Sequence, residues 1–137
     1  MTPRRDIVHT AADLEACWRR LIEPLGFASR QVFAILIDRD GEVFRSVIHV
    51  TECPRDPDDE MVTHLAEALR AALDQADPQG SCAVVWARPT HAGTRASDLE
   101  WVRAFAGALD AVGLGRWPVH VADDHVMRAV GPDDLAA

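Results

Sequence analysis

The chain has 137 residues, of which 48% are hydrophobic and 26% are charged. This size and composition are those of one ordinary folded domain, and they exclude collagen-like, coiled-coil and disordered classes. A domain of this length buries enough surface to fold without disulfides. No apolar run approaches the roughly 20 residues of a membrane span, and no apolar segment follows the N-terminal arginines. We therefore expect a cytoplasmic domain with neither a membrane anchor nor a secretory signal.

The formal net charge of −8 argues against nucleic acid as a partner, because non-specific nucleic-acid binders present a basic surface. All 14 basic residues are arginine, and this usage is typical of a GC-rich bacterial genome. The three cysteines are unclustered and form no C-x-x-C motif, so we expect reduced thiols. Cys17 and Cys82 lie in apolar patterns that predict core positions.

The first half of the chain predicts a helix followed by a β-hairpin. Thr10 and Asp13 form a helix start, and the apolar residues at helical spacing after them predict a helix over about 10–25. Two apolar runs, 32–37 and 43–50, flank a D-R-D-G turn, which is the pattern of a hairpin. Because the first run is apolar throughout, both faces of its strand are expected to be buried.

The second half predicts two helices that alternate with strands. Asp56 and Pro57 are expected to begin a helix that runs to about Gln75. The remaining predicted elements are the buried strand 81–87, a helix begun by the capping box Ser97–Glu100, and two short strands over 117–121 and 126–130.

The resulting order, α-β-β-α-β-α-β-β, predicts an α/β protein: an α/β/α sandwich with a central mixed β-sheet, in a single domain over 1–137. In such sheets, binding sites lie outside the carboxyl ends of central strands and next to helix N-termini. The candidate site is therefore the loop that follows strand 81–87. Its polar residues are the candidate binding residues: Arg88, Thr90, His91, Arg95, Ser97 and Asp98.

The segment S-C-A-V-V-W-A-R-P-T-H-A-G-T-R-A-S-D-L-E-W-V-R-A-F, residues 81–105, resembles the core of JAB/MPN-type metalloproteases in their RadC-like branch. In that family an apolar strand ends in H-x-H-P-S-G, and a polar loop with S-x-x-D leads into a helix. The predicted hairpin resembles the family's opening hairpin, and 117–130 resembles its closing pair of strands. The resemblance covers about residues 30–131 and implies a JAB/MPN-like, cytidine-deaminase-like layering.

The resemblance also implies a zinc site, made of the two histidines and the aspartate of these motifs, with a glutamate that activates water. In this sequence Arg88 and Thr90 stand at the histidine positions, and the glutamate position falls near residues 30–31. Asp98 matches the aspartate, but Arg95 stands at its partner serine position. An arginine keeps its proton and repels a metal cation, so the departures predict that the zinc ligands are largely lost.

Two functions of different classes follow. The first is a non-catalytic binding or interaction module without a cofactor. It would use the 88–98 loop or a sheet edge to hold a protein partner, a second copy of the chain or a small anionic ligand. The alternative is a zinc-dependent amide or isopeptide hydrolase with a rearranged site, in which His91 and Asp98 hold the metal with a third ligand. A loop filled by the Arg88 side chain favours the module, whereas three donor atoms about 2.0–2.2 Å from one point favour the hydrolase.

Three further features stay open at this stage. The arginines of the loop and the free N–H groups at the helix start suit a carboxylate or phosphate, so a small-anion-binding protein is a third option. A thiol nucleophile at Cys53 beside His49 is another alternative. Trp86 and Trp101 lie next to the loop in sequence, and each is either a core residue or part of a partner surface.

Overall fold

The computed structural model describes residues 6–136. The expectation about the arginines near the N-terminus concerns residues outside that range. Within it, a 3-10 turn lies at Thr90–Ala92. In chain order the helices and strands are α1 (Ala11–Ile22), β1 (Gln31–Ile37), β2 (Val43–Val50), α2 (Asp59–Ala76), β3 (Ser81–Ala87), α3 (Arg95–Ala111), β4 (His120–Ala122), β5 (Met127–Ala129) and α4 (Pro132–Ala136).

In the described part of the chain the strands form one five-stranded sheet in the order β2-β1-β3-β4-β5. β3 and β4 run parallel, and the other neighbouring pairs are antiparallel, so the predicted mixed sheet is confirmed. Ala87 of β3 pairs with Gln31 of β1 on one side and with Ala122 of β4 on the other. We call this end of the sheet the Ala87 end, and it contains the carboxyl ends of both parallel strands.

Helices cover both faces of the sheet and make the molecule a three-layer α/β/α sandwich. On one face, Trp18 of α1 belongs to an apolar cluster with Val85 of β3. On the other face, Leu69 of α2 and Phe105 of α3 belong to a second cluster with Val84. Consecutive residues of β3 face opposite layers because side chains alternate across a strand, and all seven of its residues are buried.

Most of the predicted elements are confirmed. Thr10 caps α1 in a capping box with Asp13, and the hairpin joins β1 to β2 in antiparallel register. The strand predicted over 81–87 is β3. Cys17 and Cys82 are buried, as their apolar surroundings predict.

The starts of two helices differ from the prediction. The cap of α2 is Asp58 rather than Asp56, because the Asp58 carboxylate accepts a backbone N–H from the first turn of the helix. The cap of α3 is Thr94, three residues before the predicted cap Ser97, and the capping box joins these two residues. Glu100 takes no part in the box. The helix start therefore lies closer to the end of β3 than the sequence indicates.

The last two strands are shorter than predicted. The segment predicted as strand 117–121 pairs only from His120, after Pro118, and β5 ends at Ala129. Proline has no N–H to contribute to a ladder, so a strand that contains it cannot pair along its whole length.

Candidate functional site

The predicted loop lies at the Ala87 end of the sheet. Arg88 follows β3 directly, and its backbone N–H donates to the carbonyl of Ala122 on the parallel strand β4 (3.1 Å). Asp98 lies in the first turn of α3. Both residues are almost wholly buried, with 7% and 3% of their surface exposed. The chain thus brings an arginine and an aspartate into the interior at the place where the candidate site is expected.

Arg88 and Asp98 form a bidentate ion pair. The Arg88 Nε donates to Asp98 Oδ1 at 2.7 Å, and Nη2 donates to Oδ2 at 2.8 Å. The remaining nitrogen, Nη1, donates to the carbonyls of Thr90 (3.1 Å) and Pro89 (3.3 Å). The hydrogen bonds to Asp98 are the main cause of a raised pKa for the Arg88 guanidinium. Every nitrogen of the guanidinium and both carboxylate oxygens are therefore occupied within the protein.

Buried aromatic rings pack next to this ion pair, on the face of the sheet that α2 and α3 cover. The indole Nε1–H of Trp86 donates to Asp98 Oδ1 (3.2 Å), and the Trp86 ring stacks on that of Trp101 with centroids 4.2 Å apart. Phe105 completes the cluster, 5.7 Å from Trp101 between centroids. Trp86 and Trp101 are 1% and 0% exposed. Both tryptophans are core residues, which answers the question that the sequence left open.

Gly93 lets the loop close over the ion pair. Its φ of −174° is ordinary extended backbone, so conformational freedom does not explain the glycine. A Cβ at this position would lie 2.6 Å from Cδ and 2.8 Å from Nε of Arg88. The absence of a side chain lets the backbone of the loop lie directly on the arginine.

Three other predicted residues hold the loop in place. The Thr90 N–H donates to Asp124 Oδ2 (3.0 Å), and this bond is the main cause of a lowered pKa for the Asp124 carboxyl. The Ser97 hydroxyl accepts the Thr94 N–H (2.9 Å) in the capping box. Arg95 is exposed and pairs with Asp134 at 2.9 Å. The remaining predicted residue, His91, is exposed on the 3-10 turn.

A small cavity of about 280 Å³ lies on the outer side of the loop, and its two arginines come from outside the predicted loop. His91 lines it together with Arg30, which precedes β1, and Arg55, which precedes α2. We call it the Arg30–Arg55 cavity. No local pattern in the sequence predicts that these arginines lie together, because they belong to different loops that are far apart in the chain.

The residues at the Ala87 end do not fit a zinc site. Within residues 6–136, no group of three or more His, Cys, Asp or Glu side chains is arranged to hold a metal ion, and a zinc centre needs about three protein donors. Both oxygens of Asp98 accept from Arg88, while His91 is exposed. A metal bound to Asp98 would also face the charge of the Arg88 guanidinium.

The structure also weighs against the alternative in which Cys53 acts as a nucleophile beside His49. Burial raises the pKa of the Cys53 thiol, so the thiolate that acts as a nucleophile is disfavoured. The Cys53 Sγ donates weakly to the carbonyl of Val50 (3.8 Å). His49 is bonded to Gln31 and stacked on Phe33 rather than paired with the thiol.

Comparison of the chain with protein-family models, with curated proteins and with solved structures gives no match. Among the helices of the described residues, none combines the length and the apolarity that a membrane crossing requires.

Proposed function

We propose that this chain is a non-catalytic binding module on a JAB/MPN-like scaffold. The order of helices and strands, the mixed sheet and the position of the loop are consistent with the resemblance of residues 30–131 to that family. The resemblance implies zinc ligands at the positions of Arg88, Thr90 and Asp98. In this chain the first of these positions holds a permanent cation.

The observation that carries the proposal is the buried ion pair of Arg88 and Asp98. A guanidinium is not deprotonated in proteins and has no lone pair to offer a metal. It matches a carboxylate in a planar, two-point geometry that a bound ion would have to displace. Arg88 thus supplies from the chain itself a positive charge next to Asp98, where the resemblance implies a metal.

The geometry weighs against the alternative, a zinc hydrolase that uses His91 and Asp98. His91 is exposed to solvent, whereas Asp98 is buried beneath the loop with 3% of its surface exposed. Asp98 would have to give up its bonds to Arg88 before it could bind a metal, and this would leave an unpaired buried arginine. Breaking such a pair costs about 3–5 kcal/mol, which any metal would have to offset.

The outer side of the loop is the surface that we propose for partner binding. Thr90 and His91 are exposed there, and Arg95 is exposed at the start of α3, where it pairs with Asp134, whereas Arg88 and Asp98 are buried and bonded to each other. A protein partner, a second copy of the chain or a small anion can reach these side chains without opening the fold.

Metal content tests the proposal. The protein, prepared without a histidine tag, is incubated with excess zinc, dialysed and assayed by elemental analysis. We expect far less than one zinc per chain, because no set of three donors converges among residues 6–136. One retained zinc per chain that is lost in the His91→Ala variant would refute the module and establish the hydrolase geometry instead.

A further inference from the structure

The Arg30–Arg55 cavity concentrates positive charge in an acidic protein. Arg30, Arg55 and His91 line it together with Thr94 and Ser97, and none of its lining residues is acidic. Six other arginines, at positions 19, 20, 39, 70, 88 and 95, lie within 4 Å of a carboxylate. Within residues 6–136, Arg30 and Arg55 have no such partner. Arg45, Arg103, Arg116 and Arg128 have none in this range either, but Arg30 and Arg55 are the two that line this cavity together.

The two arginines are anchored to the core of the molecule. Arg30 Nε donates to the carbonyl of Ala92 at 3.0 Å, which holds its guanidinium against the loop and leaves its two Nη groups free among the described residues. Its own backbone carbonyl accepts the Cys53 N–H (2.8 Å). The backbone carbonyl of Arg55 accepts the indole N–H of the buried Trp101 (2.9 Å). Segments that precede β1, α2 and α3 are thereby held around one cavity before any ligand arrives.

We infer that the Arg30–Arg55 cavity binds a phosphate group, either free or carried on a small molecule. Guanidinium groups recognise phosphate through paired N–H donors, and two of them with an imidazole match a dianion that has three terminal oxygens. A volume of about 280 Å³ lies just below the range of ordinary small-molecule pockets, so it suits a phosphate with a small body.

A carboxylate is the weaker candidate for this cavity, and the protein itself provides the comparison. One guanidinium is enough to occupy both oxygens of the Asp98 carboxylate. A carboxylate oxygen can accept a second hydrogen bond, as Asp98 Oδ1 does from Trp86, but a phosphate offers two arginines and a histidine a third oxygen and more charge. The start of α3, from which Thr94 and Ser97 line the cavity, adds the positive end of a helix dipole and favours the more highly charged anion.

This inference deepens the proposed function, on which it rests, because it names the chemical class of ligand that the binding module takes. The two can fail separately. Retained zinc would refute the module and leave the phosphate cavity intact, whereas a failure of phosphate binding would leave the metal-free Arg88–Asp98 centre as proposed.

The test is a titration of the ¹⁵N-labelled protein with inorganic phosphate, and separately with O-phosphoserine, at neutral pH and constant ionic strength. We expect saturable shifts of the backbone amides of Ala92, Gly93 and Thr94, with a dissociation constant of about 1 mM or below for at least one probe. Tighter binding of inorganic phosphate identifies free phosphate as the ligand, and tighter binding of O-phosphoserine identifies a phosphate ester.

Two variants assign the binding to this cavity. Arg55→Met is expected to weaken binding at least tenfold while its unfolding midpoint shows that the protein is folded. Arg45→Met is the matched control, since Arg45 is an exposed arginine of β2 near the opposite end of the hairpin. We expect it to change the affinity less than twofold. An absence of saturable shifts at these amides, or equal losses of affinity in the two variants, would overturn the inference.

Discussion

Asp98→Ala is expected to destabilise the protein by about 3–5 kcal/mol, because it leaves the buried Arg88 guanidinium without its partner. The substitution also removes the acceptor of the Trp86 indole N–H, so two buried donors lose their bonds at once. Urea unfolding at neutral pH measures the loss of the free energy of unfolding. A stability loss of this size would make Asp98 one of the most sensitive positions in the chain.

The control for this variant is Arg95→Ala. Arg95 also forms an ion pair with an aspartate, but its side chain is 58% exposed, and an exposed pair contributes at most about 1 kcal/mol. The double variant Arg88→Met/Asp98→Leu is expected to recover the part of the loss that comes from the unpaired guanidinium, since apolar residues of similar size can replace a buried pair, while the Trp86 indole N–H still lacks its acceptor. Equal small losses in the Asp98 and Arg95 variants would mean that the Arg88–Asp98 pair is open to water.

Trp101→Ala is the second large effect, with an expected loss of about 3–5 kcal/mol in the free energy of unfolding. The Trp101 side chain is fully buried, stacks on Trp86 and donates to the backbone of Arg55. Its removal leaves a cavity beneath the ion pair and frees the loop that carries Arg55. Urea unfolding, followed through the helix signal in circular dichroism, measures the effect.

Two comparison variants divide this effect into its parts. Trp101→Phe keeps a ring in the stack and loses mainly the N–H donor, so we expect a loss nearer to the roughly 1 kcal/mol of one hydrogen bond. Trp117→Ala removes a partly buried tryptophan that bonds Ser81 Oγ (2.9 Å), and it should cost less than Trp101→Ala. A Trp117 variant that is the less stable of the two would place the main aromatic support on the α1 face of the sheet.

The elements that were predicted well are those whose signals are local. Thr10 and Asp13 satisfy each other's backbone N–H groups within one turn, so the start of α1 can be identified from four residues. The run 81–87 is apolar at every position because β3 lies at the centre of the sheet between helices. Neither conclusion needs knowledge of a distant segment.

The start of α3 shows where local signals become ambiguous. Both Thr94 and Ser97 have a polar side chain three residues after them, so the sequence offers two capping boxes in the same stretch. The structure uses the first one, which places Asp98 in the first turn of the helix and within reach of Arg88. The Arg88–Asp98 ion pair stabilises this helix start. Because the pair is a tertiary contact, no local sequence pattern predicts it.

The place of the predicted loop in the fold could be read from the sequence, but its contacts could not. The loop follows the carboxyl end of the central strand β3, as predicted, and the departures at Arg88 and Thr90 indicated that a metal would fit poorly. The Arg30–Arg55 cavity was not predicted, because arginine is the only basic residue type apart from histidine in this chain. Its occurrence at a given position therefore carries little information until the fold shows which arginines lack an acid.

The central claim is that the Arg88 side chain fills the place next to Asp98 where the resemblance implies a metal. Hydrogen exchange of the Arg88 Nε–H, followed by NMR before and after addition of excess zinc, tests it most directly. We expect slow exchange that zinc does not change, because this N–H is buried and donates to Asp98, and fast exchange for the exposed Arg95. An Arg88 signal that exchanges as fast as that of Arg95, or that zinc displaces, would contradict the account.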